Sequence, residues 1–549
     1  MAARRATHNV RDMTDETSHA PVLIVGAGPV GLSAALALSR FGVRSVVVER
    51  RRTISPHPRA RFVNARTMEF FRRMGIESEV RARSIPDGVA SDVIWAPTLG
   101  APEIRRVEIQ TLGRGSGEPL SPAPGVCTSQ DVLDPILYEA VLAAGQAEVR
   151  FGVRLTGLSQ DADGVIVTCT DEAGGSSQIR AGYVIGADGA GSTVRELVGV
   201  SMQGPAALGR SVNIHFRADL SAPLRGRSVN LAMIMNPAQP GLLLNIDGRS
   251  TWTAQAIIST ATGETEADFD GERCRAVVRA QVGDPDLEVE VLGVASWTSA
   301  ARVADRLAVG RVFLAGDSAQ EMPPAGGFGM NLGIQEAENL AWKLAAVLGG
   351  WAGPALLGSY EAERLPLARQ VTNEALLNLR SVGRVESSDG SPPQVRLGRP
   401  EFFRECGLVF GASHASTAVI PDGTVRPALE NEVSDYVPSA TPGCRAPHLW
   451  IDVDGRRVST IDLPVARFVL LQAGALEGPV AAPAGLPLRT VACTDPLFAE
   501  AYGLSRGGQV LVRPDGQVAW RACDGAGAGE VTAVLGSLVG SRDQSLAAD

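Results

Sequence analysis

Three glycines in GxGxxG spacing, Gly26, Gly28 and Gly31, and an acid 18 residues further on, Glu49, form the arrangement that grips a dinucleotide. The chemistry explains the spacing. The first glycine allows a tight turn, the second lets a pyrophosphate approach the backbone, and the third lets helix and strand pack closely. Free N–H groups at the following helix N-terminus add partial positive charge for the phosphates. Glu49 stands where a carboxylate accepts hydrogen bonds from a ribose 2′-hydroxyl. In a chain with 61 glycines a bare GxGxxG arises by chance, so the flanks decide. Residues 22–25 are a β-rich apolar run, residues 33–39 are rich in Ala and Leu, and residues 45–48 are β-branched again. Strand, turn, helix and strand in register make this a dinucleotide site.

Other residues along the chain have types and positions that could bind a ligand. The loop after this unit carries Arg59 and Arg61 beside Pro56-His57-Pro58, where proline forces an irregular path. Either arginine could hold phosphate, or the group could be a solvated cluster. Gln130 opens a helix for which Ser129 is the expected N-cap. Asp188 lies in an Asp-Gly turn whose backbone donors it can cap, with Arg195 one helical turn inside. Asp317 ends a strand over residues 312–315, ahead of a proline/glycine loop and a long helix from about Met330 to Leu348. An aspartate in that place ordinarily caps a turn. Here the flanking glycines and the helix N-terminus add an anion-friendly backbone surface, which favours a ligand role.

The elements that must position these residues fit a chain of 549 residues with two to four domains. The fold class is α/β with an α+β insert. Residues 20–200 and 298–386 read as a discontinuous Rossmann-like domain, with 86–125 contributing to its substrate side. Residues 201–297 alternate as strands of a mostly antiparallel middle sheet. Residues 1–19 read as a disordered tail and 387–442 as a linker. Residues 443–549 make a small α/β domain whose Pro514-Asp515-Gly516 turn marks a hairpin. A net charge of −9 argues against nucleic-acid and anionic-membrane partners. No apolar run reaches spanning length. The seven cysteines are scattered, with no CxxC and no metal-ligand spacing, which suits a reducing cytoplasm and no metal.

Three motifs in order, GAGPVGLSAALALSRFG…VVVER, GADGAGSTVR and GDSAQEMPPAGGFGMNLGIQEAENLAWKLA, resemble the single-component flavoprotein aromatic hydroxylases of the para-hydroxybenzoate hydroxylase type. The fragments PHPRARFVNARTMEFFRRMGI, CTSQDVLDPIL and LVRPDGQVAWR resemble the branch that oxygenates aromatic polyketides of the tetracenomycin, anthracycline and angucycline kinds. The resemblance covers nearly the whole chain from residue 20. It implies that Gly26, Gly28, Gly31, Glu49 and Arg50 bind the ADP half of FAD. It implies that Arg59 contacts FAD and helps receive NADPH, that Gln130 lies near the ribityl chain, and that Asp188 serves FAD and NADPH binding. Asp317 would hold the ribityl hydroxyls and Pro324 would lie against the flavin ring. The backbone of Gly329, Met330 and Asn331 would face the pyrimidine edge, where a helix N-terminus can stabilise the negative charge of reduced flavin. Two departures stand out. Gln320 replaces a histidine frequent in the family, and the thioredoxin-like C-terminal domain lacks CxxC, so it is structural or associative rather than redox active.

The implied reaction reduces FAD with NADPH and uses O2 to form a flavin C4a-hydroperoxide that hydroxylates an electron-rich phenolic ring of a polycyclic aromatic polyketide. A base would favour phenolate, since phenols titrate near about 10. His215 is the leading candidate, with Asn213 on the same strand face by period-two alternation. A histidine satisfied within the sheet is the plainer reading. Met233, Met235, Trp252 and Gln255 are candidate pocket-lining residues or ordinary core. Baeyer–Villiger or ring-opening oxygenation of a quinone or ketone is the alternative within the fold, and a non-catalytic flavin-binding regulator is a minor one. The absence of WxWxIP argues against halogenation. The chain is expected to act as a monomer or homodimer.

Overall fold

The computed structural model describes residues 18–109, 119–259, 263–381, 384–386, 394–396, 399, 401–476 and 478–540. Its central sheet has eight strands. Five run parallel side by side, in the order Val312–Leu314, Ser176–Gly186, Ser18–Val25, Ser45–Glu49 and Ala147–Phe151. The strands Val153–Gln160 and Val165–Asp171 extend it antiparallel from the first half of Ser176–Gly186. The short strand Ala308–Val309 closes the other edge. Continuous burial of Ser45–Glu49 is what a parallel sheet covered on both faces requires. The helices Pro29–Arg40 and Phe328–Leu348 meet at Gly333. A Cβ there would lie 2.6 Å from Val30 Cγ2 and 2.9 Å from Gly316 Cα, so only glycine lets helix, helix and the Asp317 turn converge.

A second sheet has seven strands, ordered Glu290–Ser299, Gly209–Arg217, Thr251–Ile257, Gly241–Asn245, Val229–Ile234, Asp92–Ala96 and Arg105–Glu108. All its pairs are antiparallel except Val229–Ile234 with Asp92–Ala96. One face carries Val212, Ile214, Phe216, Ala254 and Ala256 and packs with Cys274, Val277 and Val278 of the helix Gly271–Val282. Asp270 caps that helix by accepting from the Arg273 N–H at 2.8 Å.

The C-terminal sheet has the order Leu488–Cys493, Phe468–Ala473, Gln509–Val512, Val518–Ala522, with only the first two parallel. That order is thioredoxin-like, and the helices Pro496–Tyr502 and Ala528–Val539 accompany it. Gly516 supplies the left-handed turn residue, φ 80°, of the Asp515 hairpin.

Several boundaries differ from the sequence reading. The first strand starts at Ser18, because parallel backbone pairing with Ile179 continues past the apolar run. Of the expected tail, residues 1–17 lie outside the described residues. The first helix begins at Pro29, where proline's fixed φ suits the first turn. The long helix begins at Phe328, after Gly327 turns left-handed at φ 69°. The segment read as a linker contains the helix Cys406–Phe410 and two buried phenylalanines, Phe402 and Phe403. Among the described residues no helix is long and apolar enough to cross a membrane.

Candidate functional site

The glycine turn is shaped as its spacing demands. Gly26 has φ 106°, and a Cβ there would lie 2.3 Å from the Ala187 carbonyl oxygen, so the Asp188 turn nests directly over the first glycine. A Cβ on Gly31 would strike the Gly26 carbonyl at 2.0 Å, whereas Gly28 has no heavy atom within 4 Å of its Cβ position. The middle glycine therefore faces open space on the side from which a pyrophosphate would come. The helix behind it has no side-chain cap, which leaves its first N–H groups to a ligand. Glu49 is buried at the strand end. Its Oε2 accepts the Ala27 N–H at 3.0 Å and its Oε1 the Arg51 N–H at 2.9 Å. Each oxygen keeps a second lone pair for a ribose hydroxyl. Arg50 follows it, exposed.

The Asp188 carboxylate caps its own turn. It accepts Ser192 Oγ–H at 2.5 Å and the Val194 N–H at 3.1 Å, and burial raises its pKa. Arg195 ties this turn to the next strand end, donating to the Ser318 carbonyl at 3.0 Å and the Ala190 carbonyl at 2.7 Å. Asp317 is exposed although it sits within the body of the molecule. Desolvation by the surrounding walls, helped by the Glu321 charge and opposed by Arg59, pushes its pKa up to about 6. A Cβ on Gly329 would lie 3.9 Å from Asp317 Oδ1, which brings this carboxylate beside the first turn of the helix Phe328–Leu348. Pro324 is exposed, and its carbonyl accepts the Gly327 N–H at 3.1 Å. Gly329 is half-buried and Met330 buried. Asn331 Nδ2 donates to the Phe62 and Gly327 carbonyls at 2.8 and 2.7 Å and so fixes the helix start. Gln320 is buried and donates to Glu336 at 3.0 Å, while Glu336 also holds the Gly316 N–H at 2.8 Å.

Arg59 is exposed but lies within electrostatic reach of Asp317, Asp134, Arg50 and Arg51, and desolvation by the surrounding protein lowers its pKa. Gln130 donates Nε2–H to Asp134 at 3.0 Å. Asp134, unmarked in the sequence reading, is pushed up to about 7 by burial; the Gln130/Asp134 spacing of four residues on a helix is the signal for it. Arg61 is buried and donates to the Asn230 carbonyl at 3.1 Å, joining the loop to the second sheet.

The second sheet turns its other face toward this cradle. Cross-strand register lines up Ala295, Asn213, Gln255, Leu242, Met233 and Trp95 in one row. Met233 and Met235 share an apolar cluster with Ala325, the neighbour of Pro324, and with Phe62. Asn213 accepts Trp297 Nε1–H at 3.1 Å. His215 is half-buried, and burial lowers its pKa. Trp252 departs from the row. It pairs opposite Phe216 and Asn245 and is fully buried in the core against the helix Gly271–Val282, so it lines no pocket. Phe402 and Phe403 stack at 4.0 Å in the Met233 cluster. Phe403 holds φ 69°, a strained value for a bulky residue. Buried Glu405 secures it, accepting the Phe403 N–H at 3.0 Å and Asn378 Nδ2–H at 3.1 Å.

The donor set fits FAD along its length: open glycine backbone and a helix N-terminus for pyrophosphate, Glu49 for ribose, Asp317 for polyol hydroxyls, and a second helix N-terminus for the ring. Fold and cradle thus define a flavoprotein. Residues 19–375 match the FAD binding domain family and residues 439–541 the aromatic-ring hydroxylase C-terminal family. The tetracenomycin B2 monooxygenase-dioxygenase of Streptomyces olivaceus is 38% identical over 532 residues, 91% of this chain and 95% of that one. Aklavinone-11 hydroxylase, in a ternary complex with FAD and aklavinone, superposes with a TM-score of 0.84 at 34% identity, over 96% of this chain and 99% of that chain. The flavin-dependent monooxygenase PieE, in complex with FAD and substrate, gives 0.86 at 31% identity over 96% and 100%. The chain belongs to the FAD-binding monooxygenase family that carries an aromatic-ring hydroxylase C-terminal domain, and it is a flavoprotein monooxygenase.

Proposed function

We infer that this monooxygenase hydroxylates a phenolic ring of a polycyclic aromatic polyketide, with NADPH as reductant. The observation that carries the reading is the sheet row beside the cradle, which is polar at one end (Asn213, Gln255) and apolar at the other (Leu242, Met233, Trp95). A flat fused-ring molecule with oxygens along one side matches that gradient. The tetracenomycin and aklavinone enzymes point to the same substrate class. FAD, when bound, supplies reductive activation of O2. The protein supplies the rest. Asp317, Gln130 and Glu49 hold the cofactor, Met233 and the Phe402–Phe403 stack exclude water, and Asn213 and Gln255 orient the ring oxygens. His215, its pKa lowered by burial, lies on the same face as a polar partner for a ring hydroxyl. Exposed Arg50, Arg51 and Arg59 at the cleft edge favour the phosphates of a visiting NADPH.

Incubation with NADPH, O2 and a panel of tetracyclic polyketide phenols and quinones, followed by product NMR, tests the reading. Ring hydroxylation is the expected product. A lactone establishes Baeyer–Villiger oxygenation instead, and stimulation of NADPH oxidation only by aliphatic compounds removes the polyketide assignment.

A further inference from the structure

Two imidazoles meet where the loop after the first βαβ unit crosses the substrate-facing sheet. His57 lies in the loop and His215 on the strand Gly209–Arg217. Their ring centroids are 6.4 Å apart, with the planes inclined by 39°. A direct ring-to-ring hydrogen bond needs centroids within about 5 Å, so the two do not bond each other. Nδ1 of His57 lies 3.0 Å from the Pro58 carbonyl oxygen. A carbonyl only accepts, so Nδ1 carries the proton and Nε2 of the neutral ring is a lone-pair acceptor. That Nε2 is buried and has no hydrogen-bond partner, and the same holds for His215 Nε2 and Asp131 Oδ1. Native proteins pair nearly all buried polar atoms. Two orphaned ring nitrogens on imidazoles 6.4 Å apart, with Asp131 within electrostatic reach of His215, mark a place for a hydroxyl-bearing ligand.

The surroundings set the charge. His215 feels Asp131 from the helix Gln130–Ala144, His57 from the loop, and Arg217 and Asp247 from its own sheet; burial dominates and lowers its pKa. Asp131 is the neighbour of Gln130, and His57 is two residues before Arg59, so this junction borders the cofactor cradle as well as the sheet row.

We propose that His57 and His215 form a two-imidazole seat for one acidic hydroxyl of the aromatic substrate, with His57 Nε2 receiving its proton. This rests on the phenolic-substrate reading above and extends it to a residue outside the sheet. In the step, the substrate O–H bond breaks and an Nε2–H bond forms, giving phenolate and imidazolium with no change of oxidation state. The Pro58 carbonyl fixes the tautomer that makes His57 the acceptor, as an orienting group does for a catalytic base. Asp131 stabilises positive charge at the pair.

The test titrates FAD-loaded enzyme with alizarin, a tricyclic phenolic dye whose colour reports its ionisation. Bound to the wild type, the dye should ionise at least one pH unit below its value in buffer, a tenfold change in ionisation constant. His57→Gln should return ionisation to within about threefold of buffer, and His215→Gln should remove part of the shift. FAD retention, followed by flavin fluorescence, should stay within about twofold. A merely structural role would weaken dye and FAD binding together and leave the ionisation of bound dye where it was. An unshifted dye on the wild type, or a full shift surviving in His57→Gln, overturns the seat. Failure of the wild type to bind alizarin, together with no stimulation of NADPH oxidation by any polycyclic phenol, overturns the substrate reading and the seat with it.

Discussion

The proposed hold of Asp317 on the FAD polyol predicts that cofactor binding is coupled to pH. In the free protein its carboxyl takes up a proton as pH falls through about 6. A polyol hydroxyl donates more strongly to a carboxylate than to a carboxylic acid, so FAD favours the ionised form. By linkage, FAD affinity rises with pH through about 6 and levels off above it. Asp317→Asn should abolish that rise and weaken binding at pH 8 by tenfold or more, since hydrogen bonds to charged groups contribute about 1.5–3 kcal/mol. Fluorescence-quenching Kd values between pH 5 and 8 check this. Asp134, at about 7, titrates in the same range, so the profile is also taken in Asp134→Asn. A rise that persists in Asp317→Asn but vanishes in Asp134→Asn would move the coupling to the Gln130 partner. Asp317 was legible because it ends a strand ahead of a glycine loop, a local pattern. His57 was not, because what gives it meaning is a histidine 158 positions away that only the folded sheet brings near.

Within the first βαβ unit, the three glycines separate into two kinds. Gly28→Ala adds a methyl to open space, at a residue with ordinary extended geometry, φ −81°. The FAD-free protein should melt within about 2 °C of wild type while FAD affinity falls at least tenfold, because the methyl occupies the pyrophosphate's approach. Gly31→Ala forces a Cβ onto the Gly26 carbonyl at 2.0 Å, and overpacking of this kind costs about 1–3 kcal/mol. That variant should lose stability even without FAD. Calorimetry of both FAD-free proteins distinguishes them, and equal melting temperatures would contradict the geometry. The substrate sheet shows where pattern reading has its limit. Period-two alternation put Asn213 with His215 and Met233 with Met235 correctly. Trp252 and Gln255, three apart on one strand, cannot share a face, and the register sends the tryptophan to the core. Phe402 and Phe403 escaped notice because the proline- and glycine-rich sequence just before them has no period, although the segment folds back onto Met233.

Across the whole molecule, buried charge joins the C-terminal sheet to the cradle's long helix. Glu363 accepts Lys343 Nζ at 2.9 Å, Asn339 Nδ2 at 2.7 Å and Arg513 Nη1 and Nη2 at 2.6 and 2.9 Å, while Arg513 also grips Asp515 in the hairpin turn. Arg445 binds Glu69 in the same interface, and Arg73 binds Glu338. Lys343 is the chain's one lysine, and it is spent here. Removing one partner leaves buried charge uncompensated, at a cost of about 3–5 kcal/mol. Arg513→Met should therefore lower the melting temperature and free the C-terminal domain to limited proteolysis, with a cut before residue 439. The interface also fixes how the protein responds to acid, in two stages. His414 is buried beside Glu363, Arg364, Arg513 and Asp515, and burial drives its pKa down to about 3. The unfolded chain protonates this histidine at about 6.5, so stability is full above that pH and falls by about 1.4 kcal/mol per unit below it. Asp515 and Glu69, held near about 2 by their arginines, keep their contribution above the unfolded carboxylate range near about 4 and lose it only from there down to about 2. His448, its pKa lowered to about 4 by burial beside Arg445 and Glu69, loses stability over the same window. His414→Gln should therefore reduce the slope of the melting-temperature profile between pH 6.5 and 4.5. The double variant with His448→Gln should reduce it further, and the loss below pH 4 should stay in place. A single-variant slope equal to that of the wild type would remove His414 from the early stage.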